Sequence, residues 1–200
     1  MRPRRFCFFA LVLLQAHGIA TAGPTCPRIE WPREALSYEL EGATTLRFAV
    51  GQDGRAVGAT VQRSSGWDVL DKASLAHLSR CVFPEPTGEG ITMPTQFAWK
   101  LEGEPSLRPL LVPGSCAESE RFLTFKNLDK SSSDSSGLVL RMHISSEGRP
   151  WKVAPEPSRN SPEIVDAAIT YIQSCRCSVD AAVPGRRGNT TFGRLIFKSQ

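Results

Sequence analysis

Two runs of alternating apolar and other residues predict a β-hairpin in the first half of the chain. Residues 46–50 and residues 57–61 each place an apolar side chain at every second position, which is typical of strands with one buried face. Between them lies Asp53-Gly54, a pair that tolerates the positive φ values of a tight turn. We therefore expect the two strands to pair as an antiparallel hairpin.

The residues after the hairpin predict a helix and one further strand. Residues 63–66 read Arg-Ser-Ser-Gly, which is turn material, and Asp68 and Asp71 are typical of a first helical turn because carboxylates there complement the helix dipole. We expect this helix to end at about Ser79. Residues 95–101 alternate again and predict a last strand.

The second half of the chain repeats this pattern. Leu140 and Gly148 have the same spacing as Leu46 and Gly54, and each of the four is followed by arginine. The alternative is a chance agreement of short hydrophobic patterns, since the second half lacks the Arg-Ser-Ser-Gly turn. We interpret the second half as a diverged copy of the first.

The helix and the last strand also recur in the second half. Ser161 before Pro162 is typical of a helix N-terminus, because serine caps free N–H groups and proline has the φ of a first helical residue. Residues 192–198 match residues 95–101 as a last strand. The fold class that we expect is α+β, with two tandem domains that are each a small antiparallel sheet with a helix packed on one face.

The N-terminus has the three parts of a secretory signal peptide. Arg2, Arg4 and Arg5 form a positive region, residues 6–14 are an apolar core, and Ala20-Thr21-Ala22 is a small-residue cleavage site. An uncleaved anchor is the weaker alternative, because a spanning helix needs about 20 apolar residues. We expect an exported chain divided into a signal peptide (1–22), a first domain (23–103), a linker (104–113) and a second domain (114–200).

The charge of the mature chain argues against two classes of partner. The sequence has 24 basic and 20 acidic residues, and the signal peptide removes three of the basic ones, so the net charge falls from +4 to about +1. Binding to nucleic acid or to an anionic membrane surface favours a clear basic excess. We therefore expect neither as a partner, and no membrane span after cleavage.

A series of short motifs in the first half follows the order found in a known family. In chain order they are Trp31-Pro32, Glu41-Gly42, Leu-Arg-Phe at 46–48, Asp53-Gly54-Arg55, Arg-Ser-Ser-Gly at 63–66, Leu70-Asp71 with Ala73, and Phe83-Pro84. Any one of them alone is an ordinary turn or strand. Together they make residues 26–101 resemble the C-terminal domain of the TonB energy-transducer family, so we expect two TonB C-terminal-like domains, the second diverged.

The resemblance implies a periplasmic, non-enzymatic binding module. In that family the domain recognises an extended segment of another envelope protein by strand addition and couples inner-membrane energy to outer-membrane uptake. This sequence departs from the pattern, because signal cleavage would remove the anchor and the sequence shows no long Pro-rich spacer. We therefore expect a soluble adaptor or a decoy in the periplasm, and its link to outer-membrane transport is a further expectation.

The last strand of the first domain is the expected binding edge. Because the hairpin strands pair with each other, this strand lies beside them with one row of backbone groups unpaired, where an extended peptide can add. The resemblance to TonB points to the same edge. The alternative is that the second domain or a homodimer partner already occupies it. The expected edge consists of Thr95, Gln96, Phe97, Ala98, Trp99 and Lys100.

The cysteine positions predict two disulfides in an exported protein. One cysteine opens each repeat and one follows each helix, so we pair Cys26 with Cys81 and Cys116 with Cys175. Each closed loop spans more than fifty residues, which contributes about 4 kcal/mol to stability in the chain-entropy model. Cys177 is the alternative partner of Cys116, but the phase of the helix favours Cys175.

The runner-up function belongs to another class, a thiol-disulfide redox protein that uses Cys175 and Cys177. Arg176 between them would favour a thiolate, although Cys116 would then lose its partner. We expect no catalytic residue, no cofactor and no metal site. His77 and His143 have no cysteine or carboxylate at a recognised metal-ligand spacing, and no phosphate-binding or hydrolase motif occurs in the sequence.

The first prediction concerns export. Because the small-residue site follows a short apolar core, the mature N-terminus should be Gly23. Intact-mass measurement of osmotically released protein checks this. Recovery of the full-length precursor from the membrane pellet would contradict it.

Overall fold

The computed structural model describes residues 23–88, 90–181 and 185–199, and the predicted signal peptide lies outside these ranges. The helices are α1 (Arg33–Ser37), α2 (Asp68–Leu78) and α3 (Pro162–Gln173). The strands are β1 (Gly42–Val50), β2 (Ala56–Arg63), β3 (Met93–Trp99), β4 (Ser106–Leu107), β5 (Leu110–Leu111), β6 (Phe122–Asn127), β7 (Gly137–Ile144), β8 (Pro150–Pro155), β9 (Cys177–Ser178), β10 (Arg186–Arg187) and β11 (Thr190–Phe197). The protein is therefore α+β, as expected, with small antiparallel sheets and few helices.

The first half builds a three-stranded antiparallel sheet in the order β2-β1-β3. The alternation in β1 has the predicted effect, because Leu46, Phe48 and Val50 are buried with Leu78 of α2 on one face of the sheet. Helix α2 begins within the predicted first turn, and its last residue, Leu78, directly precedes the expected end. The hairpin, the helix and the last strand thus occur in the predicted order.

The last strand of the first half begins and ends earlier than the predicted residues 95–101. It runs from Met93 to Trp99, and Lys100 lies beyond its end. The indole of Trp99 is buried and donates to Ser74 Oγ at 2.9 Å, which fixes the chain where it leaves the sheet. The N–H of Leu101 then donates to the Glu41 carboxylate at 2.7 Å instead of continuing the ladder. Lys100 is therefore not part of the strand.

The second half builds a four-stranded antiparallel sheet in the order β6-β11-β7-β8. The part β8-β7-β11, with α3 packed on it, has the element order and strand order of β2-β1-β3 with α2. The extra strand is β6, which pairs with the far side of β11. The order of elements supports the interpretation of a diverged copy, which stays a prediction.

Strand β7 is buried on both faces, and this joins the two halves. Leu138, Leu140 and Met142 pack in a core with Ala168 and Ile172 of α3. The intervening residues of β7 face the first half, where Val139 shares a second core with Tyr38 and Trp67. The sheet of the second half therefore serves two cores, one of its own and one shared.

Aromatic side chains form the centre of the shared core. The rings of Trp67 and Phe192 meet edge to face with centroids 4.8 Å apart, and the ring of Tyr38 meets His143 at 4.9 Å. The hydroxyl of Tyr38 donates to the carbonyl of Lys152 at 2.9 Å. Such aromatic pairs add about 0.5–1.5 kcal/mol each beyond the burial of apolar area, so the two halves form a stable intramolecular contact.

A buried ion cluster lies beside this aromatic core. Arg141 of β7 forms ion pairs with Glu156 of the second half and Glu34 of α1, and the side chains of Arg141 and Glu156 are both 8% exposed. Glu156 also accepts the N–H of Asp68 at 3.0 Å, at the start of α2. The carboxylate of Glu156 thus connects a strand of one half with a helix of the other.

The residues predicted as a linker contribute to the fold. They contain β4, which pairs with β10, and β5, which pairs with β9. Arg108 between them donates to the carbonyls of Tyr38, Glu39 and Thr190. In the part of the chain that the structure describes, no helix is long and apolar enough to cross a membrane.

The second prediction concerns the buried arginine. Arg141→Ala leaves Glu156 buried without its cation, and it should lower the free energy of unfolding by about 3–5 kcal/mol in a denaturant titration. The matched control is Arg121→Ala, which removes an exposed pair with Glu163 and should cost less than about 1 kcal/mol. Equal losses in the two variants would contradict the role of the buried cluster.

Candidate functional site

The outer side of β3 is an unpaired sheet edge. Strand β3 pairs with β1 over seven consecutive positions without a register shift. Within the described ranges no other strand pairs with β3. The edge is therefore regular and open to an added strand.

The direction of each backbone group in β3 follows from its neighbours. Gly51, directly after β1, donates its N–H to the carbonyl of Arg55 on the β2 side. On the opposite side, the N–H of Val50 donates to Thr87 Oγ1 and the carbonyl of Val50 accepts the N–H of Thr87. Residues with even numbers in β1 therefore face β3, and Phe97 lies directly opposite Thr44. In an antiparallel pair, two directly opposite residues point their backbone groups either toward each other or away from each other. Because the even residues of β1 point toward β3, the odd residues of β3 point toward β1.

The even residues of β3, namely Pro94, Gln96 and Ala98, consequently point their backbone groups away from the sheet. Proline lacks an N–H and is tolerated at an outward position of an edge strand, which agrees with this assignment. The free backbone groups are the N–H and C=O of Gln96 and Ala98 and the C=O of Pro94. These three residues are exposed.

The residues expected at the edge therefore fall into two groups, according to the direction of their backbone groups. Gln96 and Ala98 present free backbone groups, whereas Thr95, Phe97 and Trp99 direct theirs to β1. Trp99 is buried. Two apolar residues that the sequence did not predict as part of the edge are exposed beside it. Ile91, before β3, is 58% exposed, and Met93, its first residue, is 38% exposed.

The other edge of the same sheet is irregular. Strand β2 pairs with β1 through two register shifts, and Gly58 within it has a φ of 62°. An extra residue of this kind twists an edge and interrupts the row of hydrogen-bonding groups, which is a common protection against added strands. The β3 edge is therefore the better acceptor of the two.

The second half closes the matching edge with its own strand. In β11 the carbonyl of Phe192 accepts the N–H of Leu128, and the N–H of Lys198 donates to Arg121, so even residues face the β6 side. Arg194 and Ile196 lie opposite Lys126 and Thr124 of β6. Pairing with β7 makes them the counterparts of Gln96 and Ala98, so β11 matches β3 one residue later than the expected match of 192–198 with 95–101. The edge that is open in the first sheet is thus already paired in the second.

Both predicted disulfides are present. Cys26 pairs with Cys81, and Cys116 pairs with Cys175 rather than with Cys177. The free thiol of Cys177 is buried, and burial raises its pKa to about 11. A thiol that stays protonated at neutral pH is a poor nucleophile, so the structure does not favour a redox pair of Cys175 and Cys177.

The structure also gathers residues that the sequence reasoning kept apart. His77 lies beside the Cys26–Cys81 disulfide, and the ligand atoms of the three residues are within 4.8 Å of one another. The signal that was missed is the four-residue interval from His77, in the last turn of α2, to Cys81, three residues beyond the helix, which brings the Cys81 sulfur within 3.6 Å of the His77 carbonyl oxygen. His143 instead packs between Tyr38 and Trp151.

The third prediction concerns the free thiol. At pH 8 native Cys177 should react with a small alkylating reagent at least about a hundredfold more slowly than a model thiol, because its raised pKa leaves little thiolate. The rate should rise as the pH approaches 11, and denaturant should abolish the difference. Rapid alkylation of the native protein at pH 8 would restore the redox hypothesis.

Comparison with known proteins shows what the first half of the chain is similar to. Residues 27–101 match the family model described as Gram-negative bacterial TonB protein C-terminal. Protein TonB of Haemophilus influenzae (strain ATCC 51907 / DSM 11121 / KW20 / Rd) is 35% identical over 74 residues, which are 36% of this chain and 27% of TonB. No solved structure matches the chain. The part that carries β1, β2, α2 and β3 is therefore similar to the C-terminal domain of TonB.

Proposed function

We propose that the first half of this protein binds an extended segment of an envelope protein by strand addition to the outer edge of β3. The observation that carries the proposal is the regular, unpaired row of backbone groups at Gln96 and Ala98. Main-chain hydrogen bonds to that row would give affinity, and alternate side chains of the added strand would give selectivity.

The second half supports this proposal from within the same chain. Its matching strand, β11, accepts β6 as an additional antiparallel strand. A sheet with this strand order and a helix on one face can therefore extend at that edge without rearrangement. Because β6 already fills the edge in the second half, the first half supplies the open edge of this kind.

The comparisons support an envelope setting for the proposal. The matched region includes all of β3, and the matched relative is named TonB. We place the protein in the periplasm, with a protein or peptide of the envelope as its partner and outer-membrane transport as its process. Because the chain covers 27% of TonB, energy transduction itself is not carried over, and we assign this chain the role of a non-enzymatic adaptor.

The fourth prediction tests the edge. Ala98→Pro removes an outward N–H and leaves the ladder to β1 intact, so the variant should keep its thermal midpoint within a few degrees and lose capture of its envelope partner. Ala98→Thr, which retains the donor and suits a strand, should keep both. Differential capture from an envelope extract, measured beside thermal unfolding, checks the outcome.

A second control uses the matching position in the second half. Ile196→Pro removes an N–H that faces β6, so this variant should be clearly destabilised where Ala98→Pro is not. A folded Ala98→Pro variant with unchanged capture would show that β3 is not the binding edge. Loss of the fold in Ala98→Pro would show that the edge is internal.

A further inference from the structure

We propose that Cys26, Cys81 and His77 form a redox-gated site for a thiophilic divalent cation of the Zn²⁺ type. The site is closed while the two cysteines form their disulfide, and a dithiol reductant opens it. The proposed site lies at the C-terminal end of α2, whereas the core shared with the second half contacts the N-terminal end of this helix. It does not depend on strand addition at β3.

The three side chains have the types and the proximity that such a cation requires. Two thiolates and one imidazole are common ligands of Zn²⁺, with Zn–S distances of about 2.3 Å and Zn–N distances of about 2.0–2.1 Å. The candidate ligand atoms of Cys26, His77 and Cys81 lie within 4.8 Å of one another, so a small movement around a central ion suffices. Cys26 is exposed, which leaves a fourth position for water.

The backbone holds the two cysteines together independently of the disulfide. Thr25 and Val82 exchange two backbone hydrogen bonds of 2.8 Å, and Cys26 and Cys81 are the next residues on the two segments. Their Cα atoms are 4.2 Å apart. After reduction this antiparallel bridge would keep both sulfur atoms beside each other, so the ligands would be arranged before the ion binds.

The imidazole ring of His77 has a nitrogen without a hydrogen-bond partner among the described residues. His77 lies one helical turn before Cys81, whose Sγ is 3.6 Å from the His77 carbonyl oxygen. The residue is 6% exposed, and its Nδ1 has no hydrogen-bond partner among the described residues, which is unusual for a buried polar atom.

The second half offers an internal contrast. Cys175 stands in the same relation to α3 as Cys81 to α2, with its Sγ 3.4 Å from the carbonyl oxygen of Tyr171, the residue one turn earlier. Tyr171 occupies the place of His77, and its ring packs on Phe122 with centroids 5.0 Å apart. The Cys116–Cys175 pair therefore has the disulfide without the imidazole, and the metal site is a property of the first half.

Reduction of the disulfide and binding of the ion are two separate steps. A dithiol transfers two electrons and two protons to the Cys26–Cys81 disulfide, so that the protein gains two thiols and the reductant becomes a disulfide. Binding of Zn²⁺ then releases the two thiol protons to solvent, while His77 contributes a lone pair without losing a proton. The ion would take over the connection between the N-terminal segment and the end of α2.

The fifth prediction uses the chain that begins at Gly23, the expected mature N-terminus, with Cys177→Ser, so that neither Cys7 nor Cys177 supplies an extra thiol for metal. After reduction and removal of the dithiol, this protein should bind one Co²⁺ with thiolate-to-metal charge transfer and tetrahedral d–d bands, and Zn²⁺ should displace it. The added variant His77→Tyr copies the second half and should bind at least about tenfold more weakly, since loss of even an outer partner can cost that much. The oxidised protein should bind neither ion at the same concentrations.

Thermal unfolding supplies a second measurement. Zn²⁺ should raise the midpoint of the reduced Cys177→Ser protein, should raise that of the reduced His77→Tyr variant clearly less at the same concentration, and should leave the oxidised protein unchanged. If reduction unfolds the chain, Zn²⁺ must restore its circular dichroism in the parent at a lower concentration than in His77→Tyr. Equal metal binding by the parent and His77→Tyr, or no binding by the reduced parent, would overturn the proposal.

Discussion

The backbone groups at the edge of a β-sheet need a partner or water, and this requirement is met differently in the two halves of the protein. The second half pairs the outer side of β11 with its own strand β6. Among the residues that the structure describes, the outer side of β3 in the first half is unpaired and regular, while the other edge of that sheet is interrupted at Gly58. The asymmetry between two otherwise similar sheets is the basis for assigning strand binding to the first half.

The contact between the halves determines which surfaces remain available. Strand β7 buries one face under α3 and presents the other to Tyr38 and Trp67, beside the ion cluster of Arg141. The turn that contains Ser65 and Gly66 is covered as well, because Lys130 donates to the Ser65 carbonyl at 2.9 Å. The second half thus covers the start of α2, while Gln96 and Ala98 of the β3 edge and Cys26 of the disulfide remain exposed.

Local patterns in the sequence were sufficient for the hairpin, the helix and the last strand of each half and for the two disulfides. Alternation predicts β1 and β3, and the phase of α3 selects Cys175 rather than Cys177 as the partner of Cys116. The pairing of β6 with β11 was not predictable in this way, because Phe122 and Phe125 are three residues apart and give no strand period. The nearly continuous apolar run in β7 is typical of a strand buried on both faces, yet only the fold shows which surface covers it.

Amide hydrogen exchange in the free, monomeric protein tests the open edge most directly, since it needs no identified partner. We predict that the N–H groups of Gln96 and Ala98 exchange at least about a hundredfold faster than those of Arg194 and Ile196, because β6 protects the latter pair. Thr95 and Phe97, which bond to β1, should be protected and serve as internal references. Equal protection of Gln96, Ala98, Arg194 and Ile196 would contradict the claim that the first sheet has a free acceptor edge.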